Sequence, residues 1–84
     1  MTQVVTVKLW GGLRPAVGDL DSIDIEAKTI RELLRKIEER YPKLIPELEK
    51  GVAVSINGTI YQDSWSKVLP KNADIYLLPR IEGG

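Results

Sequence analysis

The sequence contains no cysteine, no histidine and no long apolar run. Without cysteine there are no disulfides, no thiolate nucleophiles and no zinc sites built from Cys and His ligands. Without histidine, the commonest general base near neutral pH is also missing. No apolar stretch approaches the roughly 20 residues that a membrane-spanning helix needs. Because the N-terminus lacks the basic region of a signal peptide, we expect a cytoplasmic protein that does not act at a membrane.

The chain also has no excess of either charge, with twelve Lys and Arg against twelve Asp and Glu. Nucleic-acid-binding domains usually present a basic patch, so we expect no nucleic-acid partner. The 84 residues, 43% apolar and 29% charged, are typical of one small globular domain. A domain of this size buries about 60–65% of its unfolded surface, which leaves little room for a substrate cavity. We therefore expect a protein that acts through a partner and binds no cofactor or metal itself.

The hydrophobic pattern predicts five strands and one main helix in the order ββαβββ. Alternation and β-branched residues place the strands over residues 3–10, 22–26, 52–56, 59–62 and 73–78. In the first strand, Val5, Val7 and Leu9 share the predicted inner face. Asn57 and Gly58 form a strong type I′ hairpin signal between the third and fourth strands. The first and last strands are apolar on both faces, which favours internal positions in the sheet.

The main helix is predicted to begin after Thr29 and to end near Tyr41. Thr29 and Glu32 match a capping box, in which the carboxylate reaches back to the cap amide. Apolar residues then recur at helical spacing, and the helix ends before a proline because Pro42 disfavours it. Elsewhere we expect a structured loop over residues 11–18 and a short helical turn over 46–50. In a turn-rich segment over residues 63–72, the predicted apolar anchors are Val68 and Leu69.

A helix against a mixed sheet is a two-layer α+β sandwich. The pattern is compatible with a β-grasp fold, although it leaves other α+β topologies open. We expect a single domain over residues 1–84, with a flexible tail over residues 79–84.

The sequence ends in Gly83 and Gly84. Two glycines at a given site occur by chance in about 0.5% of chains, given a glycine content near 7%. Because glycine has no Cβ, such an end can thread a narrow channel and place its carboxylate beside another protein's catalytic groups. The six residues from Pro79 can span about 20 Å at ~3.3 Å each.

Ordering that tail on a partner costs on the order of 6–12 kcal/mol, at ~1–2 kcal/mol per residue. A docking surface on the folded body must therefore offset the cost. Alternation places Trp10, Ile60 and Leu78 on the outward sheet face, with Tyr76 nearby. Burying three such side chains contributes roughly 5–9 kcal/mol. The alternative for each of them is ordinary core packing.

Four stretches together resemble a known family: residues 7–18, 29–42, 54–58 and 74–84. They cover a first strand with its Leu-Arg loop, a capped helix ending at Tyr-Pro, a hairpin strand, and a last strand with the Gly-Gly tail. The chain resembles the MoaD/ThiS sulfur carriers, which are ubiquitin-like β-grasp proteins, and is more similar to MoaD, the small subunit of molybdopterin synthase. It departs from that branch at Trp10, usually phenylalanine, at Arg80, usually proline, and in a longer loop around Trp65.

The resemblance implies a sulfur carrier with no catalytic machinery of its own. An E1-like enzyme of the MoaB, MoeB or ThiF type would use ATP to adenylate the carboxylate of Gly84, next to Gly83, and sulfur would then form a thiocarboxylate. The tail would enter a MoaE-like large subunit of molybdopterin synthase and donate sulfur to the pterin precursor. The residues implied in partner binding are Trp10, Ile60, Leu78, Pro79, Arg80, Ile81 and Glu82.

Three other functions stay open. The chain would be a ubiquitin-like modifier if its C-terminal glycine were joined to protein lysines. It would be a sulfur carrier of another pathway if the acceptor belonged to tRNA thiolation or thiamine synthesis. It would be a non-reacting interaction module if the tail were incidental.

Overall fold

The computed structural model describes residues 3–62 and 64–80, so residues 81–84 lie outside the described part. It contains five strands and two α-helices: β1 Val4–Leu9, β2 Ser22–Glu26, α1 Ile30–Arg40, α2 Ile45–Lys50, β3 Val52–Ile56, β4 Thr59–Tyr61 and β5 Ile75–Pro79. Two 3₁₀ segments, Gly11–Val17 and Pro42–Leu44, follow β1 and α1. Within the described ranges, none of the helices has the length and apolar character needed to cross a membrane.

The strands form one mixed sheet in the order β2-β1-β5-β3-β4. β1 and β5 run parallel, and the other neighbouring pairs are antiparallel. Both β1 and β5 are therefore internal strands, as their two-sided apolar pattern predicts. With α1 packed on one face of the sheet, this is the β-grasp fold, which confirms the predicted class.

The core lies between α1 and the inner face of the sheet. Val5, Val7 and Leu9 are buried and alternate with exposed residues along β1, as predicted. Helix α1 contributes Ile30, Leu33 and Ile37, each fully buried. The helix covers only one face of the sheet. The opposite face, here called the outer face, has no covering layer among the residues that the structure describes.

The start of α1 follows the capping box with one difference. The Glu32 N–H donates to Thr29 Oγ1 over 3.2 Å, as predicted. The Glu32 carboxylate, however, accepts from the N–H of Lys28 over 3.1 Å, one residue before the predicted cap amide. The helix ends at Arg40, because Tyr41 leaves the helical region before Pro42.

The segment after β4 supports the first turn of α1. Carbonyl oxygens of Lys67 and Trp65 accept from the N–H groups of Ile30 and Arg31, over 3.1 and 2.8 Å. These are amides that a helix leaves without internal partners. The half-buried Trp65 also packs against the core. This loop therefore caps α1 with its backbone, which gives the longer loop a structural role.

Of the two anchors predicted in this segment, one is wrong. Leu69 is 2% exposed, whereas Val68 is 64% exposed. The reason is that Val68 bridges to Thr29 in extended backbone, so neighbouring side chains point to opposite sides. Leu69 takes the inner side and its N–H donates to the carbonyl of Lys28.

The predicted hairpin between β3 and β4 is confirmed. Asn57 and Gly58 both have positive φ, 50° and 88°, as a type I′ turn requires. The Asn57 side chain also accepts from the N–H of Asp74, which ties the hairpin to the start of β5.

Candidate functional site

The outer face carries a row of side chains across four strands. Register aligns Lys8 of β1 with Tyr76 of β5, Tyr76 with Ser55 of β3, and Ser55 with Ile60 of β4. Because side chains alternate along a strand, these residues point away from α1 while Ile75 and Leu77 point into the core. The row therefore brings a residue of the N-terminal strand β1 onto one surface with residues of the C-terminal strands β3, β4 and β5.

A second row lies one step further along β5. The Trp10 N–H donates to the Leu77 carbonyl over 3.1 Å, which continues the β1–β5 pairing and brings Trp10 beside Leu78. Leu78 in turn pairs with Ala53 of β3. Ala53 is fully buried although it alternates with core residues of β3, so outer-face side chains cover it.

These rows leave large apolar side chains in contact with solvent. Trp10 is 56% exposed, Ile60 45% and Tyr76 37%, and Leu78 is half-buried. Single exposed apolar residues are ordinary, but several on one face mark an interaction surface. The alternative of core packing is therefore excluded for Trp10 and Ile60. We call the set Trp10, Ile60, Tyr76 and Leu78 the apolar patch.

A surface cavity of about 300 Å³ lies at one end of the apolar patch, lined by Trp10, Leu78, Pro79 and Arg80. It brings together four of the residues predicted to bind a partner. Ile60 lies on the same face, on β4, and does not line the cavity. The other predicted site residues, Ile81, Glu82, Gly83 and Gly84, lie outside the described residues.

The chain reaches this cavity as part of the sheet. Pro79 is the last residue of β5 and pairs with Val52. The Arg80 N–H then donates to the Gly51 carbonyl over 3.1 Å. The predicted flexible tail over residues 79–84 is therefore wrong for its first two residues. Pro79 belongs to β5, and Arg80 is hydrogen-bonded to the residue that precedes β3.

Charge sits at the other end of the patch. Lys8 Nζ lies 3.2 Å from the Asp74 carboxylate and 5.2 Å from the centre of the Tyr76 ring. The hydrogen bond to Asp74, and then its negative charge, raise the pKa of Lys8 above the usual 10.5. Lys8 is therefore a cation throughout the physiological range, at the rim of an apolar surface. This combination suits contact with another protein.

Sequence reasoning missed Lys8 and Gly51 as parts of this site. Lys8 precedes Trp10 by two positions on the same strand, so alternation alone was a sufficient signal. Gly51 had no such signal, because only the pairing of β3 with β5 brings it next to Arg80.

The fold and the described surface define the class: a ubiquitin-like β-grasp protein with an uncovered apolar sheet face. The family model described as the ThiS family matches residues 7–84. The chain therefore belongs to the ThiS family of ubiquitin-like sulfur carriers and modifiers. No curated protein matches the sequence.

Solved structures agree with this fold. The small archaeal modifier protein 1 of Methanosarcina acetivorans has a TM-score of 0.79 at 23% identity, covering 100% of this chain and 99% of that one. CysO of Amycolatopsis orientalis, in a complex with BexX, has a TM-score of 0.72 at 20% identity and covers 94% and 98%. A complex of subunits 1 and 2 of the molybdopterin-converting factor from Helicobacter pylori matches with a TM-score of 0.68 at 26% identity, covering 98% and 100%. Two of these relatives are thus seen with a partner protein.

Proposed function

We propose that this chain is a sulfur carrier that delivers sulfur from its C-terminus, most directly in molybdopterin synthesis. The Gly84 carboxylate attacks the α-phosphate of ATP on an E1-like enzyme, which releases pyrophosphate and forms an acyl-adenylate. A sulfide-equivalent nucleophile supplied by a partner then displaces AMP and leaves a thiocarboxylate. In this proposal ATP is bound by the activating enzyme, and the chain acts in the cytoplasm.

The observation that carries the proposal is the position of the cavity. It lies where β5 ends, so a partner that grips Trp10 and Leu78 also holds the segment that leads to Gly83 and Gly84. About half or less of each of Trp10, Ile60 and Leu78 is still exposed. Burying that remainder against a partner contributes roughly 2–5 kcal/mol in total, about half of the ~1.5–3 kcal/mol for each fully exposed side chain. Docking energy from the folded body is thereby available to hold the terminal carboxylate in place.

The geometry also limits where the chemistry takes place. Four residues follow Arg80, and fully extended they span about 13 Å at ~3.3 Å each. A partner's catalytic groups must therefore lie within about that distance of the cavity. This reach is shorter than the one expected from a six-residue tail.

The test is the intact mass of the protein after production together with its activating enzyme. We expect a fraction of the chain with one C-terminal oxygen exchanged for sulfur. The matched control ends at Gly83 and should show no exchange. If the full chain always carries a plain carboxylate with the activating enzyme in excess, the proposal is wrong.

A second candidate is a protein modifier joined to lysines through Gly84. It is favoured by the match to the small archaeal modifier protein 1 of two organisms, Methanosarcina acetivorans and Haloferax volcanii. The same adenylate serves both functions, and only the acceptor differs. Higher-mass adducts that disappear when Gly83 and Gly84 are deleted would establish the modifier. Sulfur found instead in thiolated tRNA or in thiamine would move the carrier to another pathway.

A further inference from the structure

Gly51 has a backbone conformation that other residues rarely adopt. It follows α2, its N–H donates to the Leu48 carbonyl, and its φ and ψ are 106° and 136°. With φ in this range, any side chain is strained by its own backbone. Gly18 and Gly58 share a positive φ, but a Cβ at either would meet nothing within 4 Å.

At Gly51 the missing side chain has a second consequence. A Cβ placed there would lie 2.9 Å from Cδ of Arg80, 3.4 Å from its Cβ and 3.7 Å from its Cγ. The aliphatic part of Arg80 therefore lies across the bare face of Gly51. Together with the hydrogen bond from the Arg80 N–H to the Gly51 carbonyl, this contact holds Arg80 by both backbone and side chain.

Any effect of Gly51 on the cavity is transmitted by Arg80. It is the last residue described before the terminal segment, and it lines the cavity with Trp10, Leu78 and Pro79. A shift of its side chain would change the wall of the cavity. A shift of its backbone would change the direction in which the chain continues toward Gly84.

We infer that Gly51 is a positioning residue for the reacting C-terminus. By accepting the Arg80 side chain on its bare face, it fixes the direction in which the backbone leaves the cavity at Arg80, so that a partner bound to the apolar patch receives the carboxylate in the right position. This inference rests on the proposed function for its kinetic consequence. The contact itself is a property of the chain alone.

The kinetic test compares the natural chain with four variants: Gly51→Ala, Gly18→Ala, Arg80→Ala and the double variant Gly51→Ala, Arg80→Ala. Adenylation by the activating enzyme is measured by ATP–pyrophosphate exchange. Gly51→Ala should lower kcat about tenfold with KM within about threefold, because small misplacements of a reacting group cost up to about 100-fold in rate. Gly18→Ala is the control for adding a methyl group at a glycine of positive φ that has no neighbour within 4 Å. Its backbone lies in the left-handed helical region, with φ 71° and ψ 33°, and is less strained by a side chain than that of Gly51. The Arg80→Ala background controls for this larger backbone strain at Gly51. In the Arg80→Ala background, the effect of Gly51→Ala should fall below about threefold, because Cγ and Cδ are gone and the backbone strain remains.

The second test needs no enzyme. In the natural chain, the amide hydrogen of residue 80 should exchange more slowly than in an unfolded chain, as measured by NMR. We expect at least about tenfold faster exchange in Gly51→Ala and no change in Gly18→Ala, which separates loss of the contact from general destabilisation. If Gly51→Ala does not fold, the test uses Arg80→Ala alone. After correction for the intrinsic exchange rate of each sequence, the amide of residue 80 should exchange faster in this variant than in the natural chain.

The outcomes separate the two ideas. If the natural chain is never adenylated, the proposed function fails, and exchange at residue 80 still tests the contact. If Gly51→Ala matches Gly18→Ala in both exchange and kcat, the inference is overturned. It is also overturned if Gly51→Ala loses as much kcat in the Arg80→Ala background as in the natural one.

Discussion

Exposed side chains on the outer face contribute little to stability and are available for binding. Trp10 is more than half exposed, so its ring contributes little to the core and is available to a partner. The same is true of Val4, which is 62% exposed on the same face at the other end of β1. The two side chains are therefore similar in exposure but not in position. Trp10 lines the cavity, whereas Val4 lies about 20 Å away along the strand, at ~3.3 Å per residue.

We predict that Trp10→Ala changes the free energy of unfolding by less than about 1 kcal/mol and weakens binding to the activating enzyme by about 30-fold or more. Buried tryptophans at interface centres commonly contribute 2 kcal/mol or more to binding. Urea unfolding and calorimetric titration measure the two effects. Val4→Ala is the control and should leave affinity within about twofold. Equal loss of affinity in both variants would contradict a patch centred on the cavity.

Helix α1 and the segment after β4 depend on each other. The helix presents its first amides to carbonyls of Trp65 and Lys67, and the segment in return sends Leu69 into the core. The connection that the sequence marks only as turn-rich is therefore a structural part of the helix start. Of the adjacent pair Val68 and Leu69, only Leu69 contributes to the core.

Leu69→Ala should destabilise the protein by about 2–5 kcal/mol, the usual cost of truncating a buried leucine. Val68→Ala should stay within about 0.5 kcal/mol, because most of that side chain is already in water. Urea unfolding of both variants provides the comparison, with each serving as control for the other. A larger loss for Val68→Ala would show that the segment packs in the opposite register.

In the molecule as a whole, the folded body is separate from the C-terminal end for which we propose the reaction. Every core residue among those described lies between Val5 and Leu77, and the last described backbone bond to the sheet is made by Arg80. In the proposed function, the folded body binds and orients, while the chemistry takes place at the terminal carboxylate and on partners. Stability and transfer should therefore respond to different substitutions.

Deleting Gly84 should leave the thermal midpoint within about 1 °C, because chain ends outside the core contribute little to stability. Sulfur transfer should be abolished, since the carboxylate then ends one residue short of its reacting position. Calorimetry and intact mass after activation measure the two properties. A midpoint lowered by several degrees would mean that the last residue belongs to the folded body.

Much of the fold follows from short-range patterns. Thr29 with Glu32 marks the start of α1, Asn57-Gly58 marks a hairpin, and alternation in β1 assigns its inner residues. Each depends on neighbours within a few positions, where spacing and backbone preference act directly. The exposed positions of Trp10 and Ile60 follow from the same alternation once the helix is known to cover one face.

Other features need residues that are distant along the chain to meet. No local pattern distinguishes Val68 from Leu69, because the choice depends on which side of the bridge to Thr29 faces the core. The contact of Arg80 with Gly51 and the cavity beside Trp10 form only when β5 lies between β1 and β3. Alternation and capping residues thus specify the elements of the chain, and the Gly-Gly end provides the reacting group that we propose. The strand order specifies the apolar patch and the cavity beside it, since strand pairing joins positions that no local interaction relates.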